Sequence, residues 1–265
     1  MSLAEQIAVQ LPFLRRYARA LTGSQGSGDA YVRATLEAAL ADPALLEQIG
    51  RGRVRLYAAF NRIWSSSHID AEAAAEVEER MHEQVAQLRL SHITPAHRQA
   101  LLLTTLEDFT PEEAAEILDI PVGEVSELVA QAIDEIDNET ATDVLIIEDE
   151  PLISMQLEAL VSDLGHNVVG TAATRQQALE IFAARPAGLV LADIQLADGS
   201  SGIEAVEDLL KLGDLPVIFI TAYPEKLLSG ERPEPTYLVT KPFQETTVRA
   251  AISQALFFGS SRPLQ

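Results

Sequence analysis

Leu189-Val190-Leu191-Ala192-Asp193 decides the fold of this 265-residue chain, because it is an apolar run that ends on a single carboxylate. Gly188 precedes it, and the polar stretch Gln195-Leu196-Ala197-Asp198-Gly199 follows. A short Leu/Val/Ala run bounded in this way reads as a buried parallel strand with Asp193 at its carboxyl end. That is the edge at which α/β sheets place their chemistry. An Asp after an apolar strand also serves as a helix cap or a loop anchor. The neighbouring segments decide between these readings.

On both sides of this run the pattern alternates strand and helix. Asp143 to Ile147 reads as a first strand, and Pro151 opens a helix carrying Ile153, Leu157, Leu160 and Leu164. His166 to Gly170 reads as a second strand, and Thr174 caps a helix through Leu179 and Phe182. After the Asp193 strand come a helix from about Gly202 to Leu212, the strand Pro216 to Ile220, the strand Tyr237 to Thr240, and a last helix from about Phe243 to Phe257. Five strands alternating with helices predict an α/β, flavodoxin-like, doubly wound parallel sheet over residues 143–262.

In such a sheet the strand ends open at one edge. Glu148 and Asp149 follow strand one, Asp193 ends strand three, Thr221 ends strand four, and Lys241 ends strand five with Pro242 behind it. Three carboxylates around a pocket make a hard oxygen site suited to Mg²⁺. Asp193 can then act as an oxygen nucleophile toward a phosphoryl donor, with Lys241 neutralising charge and Thr221 offering a hydroxyl to a phosphoryl oxygen.

Residues 1–137 read as all-α. Leu11, Leu14, Tyr17, Ala18 and Leu21 repeat at helical spacing, and Thr22 to Gly28 should break the helix. A second helix passes through Tyr31, Leu36 and Leu40 and stops near Asp42-Pro43; a third runs from about Arg53 to Trp64. Tyr17, Tyr31, Phe60 and Trp64 are expected to pack between helices. These helices occupy residues 1–67, and residues 68–93, acidic and Ala-rich, read as a connector that begins another helix. In residues 94–137, Thr94-Pro95 sets a capped helix start, and Thr110-Pro111-Glu112-Glu113 is a capping box. A short helix to Leu118, a tight turn at Asp119-Ile120-Pro121 and a helix through Val125, Leu128, Val129, Ala132, Ile133 and Ile136 make a helix-turn-helix. Residues 138–142 read as the linker.

The net charge of −21 is unevenly placed: residues 99–174 contain 18 Asp and Glu and no Lys or Arg. Such a surface repels phosphate backbones and attracts basic partners. The chain has no Cys, which excludes disulfides and thiolate metal sites and fits a reducing cytoplasm. No apolar block resembles a signal sequence or membrane span, so a soluble cytoplasmic protein is expected. His68, His82, His92, His97 and His166 show no ligand spacing.

Leu11-Pro12-x-Leu14-Arg15-Arg16-Tyr17-Ala18-Arg19-Ala20-Leu21-Thr22-Gly23 resembles the core-polymerase-binding region of extracytoplasmic-function sigma factors. The helix-turn-helix resembles their promoter-reading region. Gly123, Val125 and Ala132 match that family's recognition helix, whereas Leu128, Gln131 and Ile133 stand at its three arginine positions. Without those bases the helix lacks both phosphate contacts and Arg readout of bases. No direct DNA binding is therefore expected.

Glu148-Asp149, Asp193, Thr221 and Lys241-Pro242-Phe243 resemble the receiver domain of two-component response regulators. The resemblance implies phosphorylation of Asp193 by a sensor histidine kinase or phosphotransfer protein, Mg²⁺ dependence with the Gln195 carbonyl as a further ligand, and slow self-dephosphorylation rather than enzymatic turnover. Leu238 stands where receivers commonly carry an aromatic switch residue, but Phe219-Ile220-Thr221-Ala222-Tyr223 resembles the signature of an atypical receiver subfamily. That makes Tyr223 the candidate relay.

A sigma-like region followed by a receiver resembles the PhyR-type response regulators of the alphaproteobacterial general stress response. The resemblance implies an anti-anti-sigma factor that captures a NepR-type anti-sigma factor when phosphorylated, with the receiver packed on the sigma-like region beforehand. Two competing readings are a DNA-binding response regulator, which needs a basic recognition face, and a metal-dependent phosphohydrolase, which needs a small-molecule substrate.

Overall fold

The computed structural model describes residues 3–78, 94–136, 140–196, 199–213, 215–224, 227 and 235–260. The chain divides into two compact units, Met1–Ala132 and Ile133–Gln265.

The helices of the first unit, in order, are α1 (Leu3–Thr22), α2 (Gln25–Ala41), α3 (Pro43–Ile49), α4 (Arg53–Glu78), α5 (Ala96–Thr105), α6 (Pro111–Leu118) and α7 (Val122–Ile136). The break expected over Thr22 to Gly28 is shorter than the glycines suggest. Ser24 caps α2 by accepting the Ser27 N–H, so Gly26 and Gly28 lie inside the helix. Gly28 is there because α1 and α2 cross backbone to backbone: a Cβ at this position would stand 2.7 Å from the Arg19 nitrogen. Beside the crossing, Asp29 accepts from Arg19 Nη2 at 2.7 Å and Arg15 Nη2 at 3.1 Å. Asp42, expected only as a stop, also starts α3, accepting the Ala44 N–H at 2.9 Å with Pro43 in the first turn.

Helix α4 does not end at Trp64 but continues to Glu78. Residues 79–93 of the expected connector lie outside the described residues. The aromatic set packs as expected, with Tyr31 on Trp64 at 4.9 Å and Tyr17 on Phe60 at 5.9 Å between ring centroids. Thr94 does not cap α5. Pro95 holds that place, and the Thr94 hydroxyl donates to the Leu21 carbonyl at 2.5 Å. The capping box of α6 forms in both directions between Thr110 and Glu113, and α6 ends on Asp119 in the left-handed region with φ 57°. On α7, Val125, Ala132 and Ile136 are buried at helical spacing, while Ile133 falls off that face and is exposed.

In the second unit, β1 (Asp143–Ile147), α8 (Pro151–Asp163), β2 (Asn167–Ala172), α9 (Arg175–Ala184), β3 (Leu189–Ala192), α10 (Gly202–Leu212), β4 (Val217–Thr221), β5 (Tyr237–Thr240) and α11 (Glu245–Ser260) follow one another. The sheet is parallel throughout, in the order β2-β1-β3-β4-β5. Every residue of β3 is buried, which is why it reads as an unbroken apolar run rather than an alternation. His166 lies just before β2, where its Nδ1 accepts the Thr142 N–H at 3.3 Å. The chain reverses direction in strand order between β1 and β3, so their carboxyl ends border the crevice where such folds bind ligands. Among the described residues no helix is long and apolar enough to cross a membrane.

Candidate functional site

Strands β1, β3, β4 and β5 bring the expected carboxylates, hydroxyl and ammonium to one edge. Pairing of Ile147 with Ala192 sets Glu148 beside Asp193, and pairing of Thr221 with Thr240 sets Thr221 next to Lys241. The Lys241 N–H in turn donates to the Thr221 carbonyl at 2.8 Å, continuing the ladder past the end of β5.

Lys241 Nζ joins two carboxylates, donating to Glu148 Oε2 at 2.7 Å and to Asp193 Oδ2 at 2.8 Å. Glu150 lies at 3.5 Å from the same nitrogen, a contact that strand-end reasoning did not single out. Asp193 Oδ1 accepts the Ile194 N–H at 2.5 Å and the Gln195 N–H at 3.4 Å, so the loop after β3 holds the carboxylate in a fixed rotamer. Glu148 Oε1 accepts the Glu150 N–H at 3.2 Å.

Burial pushes the Glu148 carboxyl above the usual carboxylate range, and the Lys241 hydrogen bond and charge offset only part of that rise. Burial also works against the Lys241 ammonium, but hydrogen bonds to Asp193 and Glu148, with the charges of both, outweigh it and raise its pKa. The lysine is therefore a permanent cation at neutral pH.

Glu148, Asp149 and Asp193 each place a carboxylate oxygen within 4.8 Å of the others, with Asp149 half-buried and the other two buried. These three anions and Lys241 leave two negative charges uncompensated at the pocket. An all-oxygen donor set with that excess suits a hard divalent cation. The residues present thus fit the expected metal.

Thr221 is buried, and its Oγ1 accepts the Tyr223 N–H at 3.1 Å. Tyr223 itself is 44 % exposed, two residues beyond the strand. Gln195 forms an isolated antiparallel bridge with Ser201, a local fold that sets these two residues side by side. That fold depends on Gly202, whose N–H donates to the Ile194 carbonyl at 3.1 Å. A Cβ on Gly202 would lie 1.7 Å from the Asp193 carbonyl oxygen. Sequence reasoning took Gly202 only as a helix start; the signal for more was a poor helix former directly after a capping Ser201.

The helix-turn-helix shows an acidic outer face: Glu124, Glu127 and Asp134 are exposed on α7. A promoter-reading helix needs basic side chains on such a face, and α7 has none.

Comparison with known proteins agrees with both units. Residues 7–61 match the family described as the Sigma2 domain of PhyR, and residues 90–139 match the family described as response regulator PhyR, sigma-like domain. Residues 144–253 match the response regulator receiver domain. The phyllosphere-induced regulator PhyR of Methylorubrum extorquens is 53% identical over 262 residues, which is 98% of this chain and 97% of that protein. The crystal structure of the response regulator PhyR from Brucella abortus is similar at 48% identity and a TM-score of 0.83, covering 98% of this chain and 96% of that one. The anti-anti-sigma factor PhyR from Bartonella quintana gives 48% identity and a TM-score of 0.83, covering 98% and 97%. Two sigma-like stretches followed by a receiver, matched end to end at this identity, place the chain in the PhyR family of response regulators.

Proposed function

We propose that this chain is a phosphorylation-dependent anti-anti-sigma factor, in which residues 1–137 imitate a sigma factor and capture a NepR-type anti-sigma factor, releasing the true sigma factor. The observation that carries this reading is the outer face of α7, whose charged residues are all acidic, on a helix-turn-helix within a receiver-bearing chain. A sigma-like fold that has lost its bases suits a protein that binds sigma factors and does not suit a promoter. The name anti-anti-sigma factor, carried by the Bartonella quintana relative, supports the same reading.

In the receiver, Asp193 is the phosphoacceptor. One of its carboxylate oxygens attacks the phosphorus of a phosphohistidine on a sensor kinase or phosphotransfer protein. The O–P bond forms as the P–N bond breaks, and the histidine nitrogen takes up a proton. Glu148, Asp149, Asp193 and the Gln195 carbonyl would hold Mg²⁺, which supplies charge neutralisation on the phosphoryl oxygens. Lys241 pairs with one oxygen of the new phosphoryl group, and Thr221 offers its hydroxyl to another. Drawing Thr221 and Lys241 toward the new charge shifts the ends of β4 and β5, with Tyr223 as the relay. Water attack on the acyl phosphate returns Asp193 slowly, so the protein is a switch rather than a turnover enzyme.

The test is capture of small basic proteins by the full chain, with and without a phosphoryl donor and Mg²⁺, beside a duplex DNA control. Phosphorylation-dependent capture of an anti-sigma factor with no DNA retained supports the proposal. Specific DNA retention without a protein partner overturns it.

A further inference from the structure

Glu107 is a buried carboxylate for which the phosphoacceptor chemistry has no use. It sits in the turn between α5 and α6 with a side chain 0% exposed. Arg16 Nε donates to its Oε1 at 2.9 Å, Arg53 Nη2 to its Oε2 at 2.5 Å, and the Tyr57 hydroxyl to the same oxygen at 2.8 Å. Arg16 Nη2 also holds the Leu106 carbonyl at 2.8 Å. The donors come from α1 and α4, and all three lie within residues 7–61, the Sigma2-like stretch. The acceptor lies within residues 90–139, the second sigma-like stretch. One carboxylate of the second stretch thus fills a three-donor socket built by the first.

The turn is shaped to deliver it. Glu107 N–H donates to the Leu102 carbonyl at 3.1 Å and Phe109 N–H to the Leu103 carbonyl at 3.0 Å, with Asp108 between them at φ 54°. Phe109 then closes the socket, its ring 4.2 Å from the Arg53 guanidinium and 4.9 Å from the Tyr57 ring. Burial first, and the Glu107 charge second, push the Tyr57 phenol well above its ordinary value, so it remains a donor.

A fully buried carboxylate met by the buried Arg16 and the partly exposed Arg53 is a costly way to fill this place. Apolar side chains of similar volume hold such a place at equal or greater stability. Apolar contacts also tolerate sliding, whereas three directional hydrogen bonds are met together at one placement only. We propose that Glu107 is a positioning residue: it locks the α5–α7 helix-turn-helix against α1 and α4 at one angle, so that the two sigma-like stretches present a single pre-set surface to the anti-sigma factor. The partner clause rests on the function proposed above; the locking itself does not.

The test exploits the absence of Cys from the chain. Spin labels on Arg33→Cys in α2 and Glu112→Cys in α6, both exposed positions away from the acidic face of α7, report the distance between the stretches in the full chain. The otherwise unchanged protein should give one narrow distribution. Arg16→Met/Arg53→Met/Glu107→Met should keep its unfolding temperature yet broaden the distribution at least twofold, and Glu107→Asp, which keeps the charge but cannot reach all three donors, should broaden it partway. Affinity for a NepR-type anti-sigma factor should fall about tenfold in the triple variant. A narrow distribution in Glu107→Asp together with a folded, narrow triple variant overturns the locking role, and so does a triple variant that fails to fold while Glu107→Asp stays narrow, since the network then serves stability alone. Broadening with unchanged affinity overturns the pre-set surface. If the otherwise unchanged protein captures no anti-sigma factor, the proposed function fails while the label distances still decide the lock.

Discussion

Lys241 Nζ stands 2.8 Å from Asp193 Oδ2 and so ties the end of β5 to the residue that follows β3, across 48 positions of sequence. The same nitrogen holds Glu148 at 2.7 Å, which leaves Asp149 as the member of the acidic trio that the lysine does not bond. The lysine holds two of the three carboxylates together and leaves the trio with excess negative charge, and the first predictions for the receiver follow from that arrangement.

Asp193→Asn keeps the side-chain shape but removes the nucleophilic charge. Intact mass after incubation with a phosphoryl donor and Mg²⁺ should show one added phosphoryl group in the parent protein and none in the variant. Phosphorylation-dependent partner capture should disappear with it.

Lys241→Met leaves Glu148 and Asp193 buried beside each other with no cation between them. Breaking a buried pair in this way costs about 3 kcal/mol of folding stability. A cation that binds only the folded form returns part of that loss. Thermal unfolding with and without Mg²⁺ should therefore show a larger Mg²⁺-induced rise for the variant than for the parent; equal rises would count against the coupling to Lys241, and no rise in either protein would count against the metal site.

Gly202→Ala forces a methyl group against the Asp193 carbonyl, which must move away. Overpacking of this kind costs about 1–3 kcal/mol. Because the displaced backbone belongs to the proposed phosphoacceptor, the rate of phosphorylation should drop along with stability. A variant that loses stability but phosphorylates at the parent rate would show that the contact shapes only the fold.

Asp29 supplies an acid-sensitive element in the first unit. Burial disfavours its charge, but hydrogen bonds from Arg19 and Arg15 and their charges outweigh this and hold its carboxyl below the usual range. A carboxyl lowered in the folded state contributes stability above the ordinary value of about 3.9, and the contribution is lost as pH falls through the folded value. Asp29→Asn should cost about 1–2 kcal/mol at neutral pH, because it weakens a charge-assisted hydrogen bond to the buried Arg19 at a carboxylate that is itself partly exposed. It should also flatten the fall in stability below about pH 4; denaturant midpoints across pH 2–7 check both.

By itself the sequence determined the order of the elements and which residues gather at the receiver edge. β1 and β3 are short apolar runs with chemistry-bearing residues directly behind them, and parallel strands put such residues at one edge whatever the loops between them do. The capping box at Thr110 and the missing bases of α7 were equally plain, because caps and charge depend on residues adjacent along the chain. Only the tertiary structure decided what depends on two distant backbones meeting. Gly28 reads as a helix breaker until α1 and α2 are seen to cross at it, and Gly202 reads as a helix start until the Asp193 carbonyl is seen against it. Thr94 reads as a cap until the Leu21 carbonyl takes its hydroxyl. Glu107 gives no sign of its place, since its three donors lie 50 to 91 positions away and a lone Glu after a helix has the pattern of a solvated surface residue. Local spacing encodes periodicity and caps, whereas a buried charge is recognised only when the fold brings its partners to it.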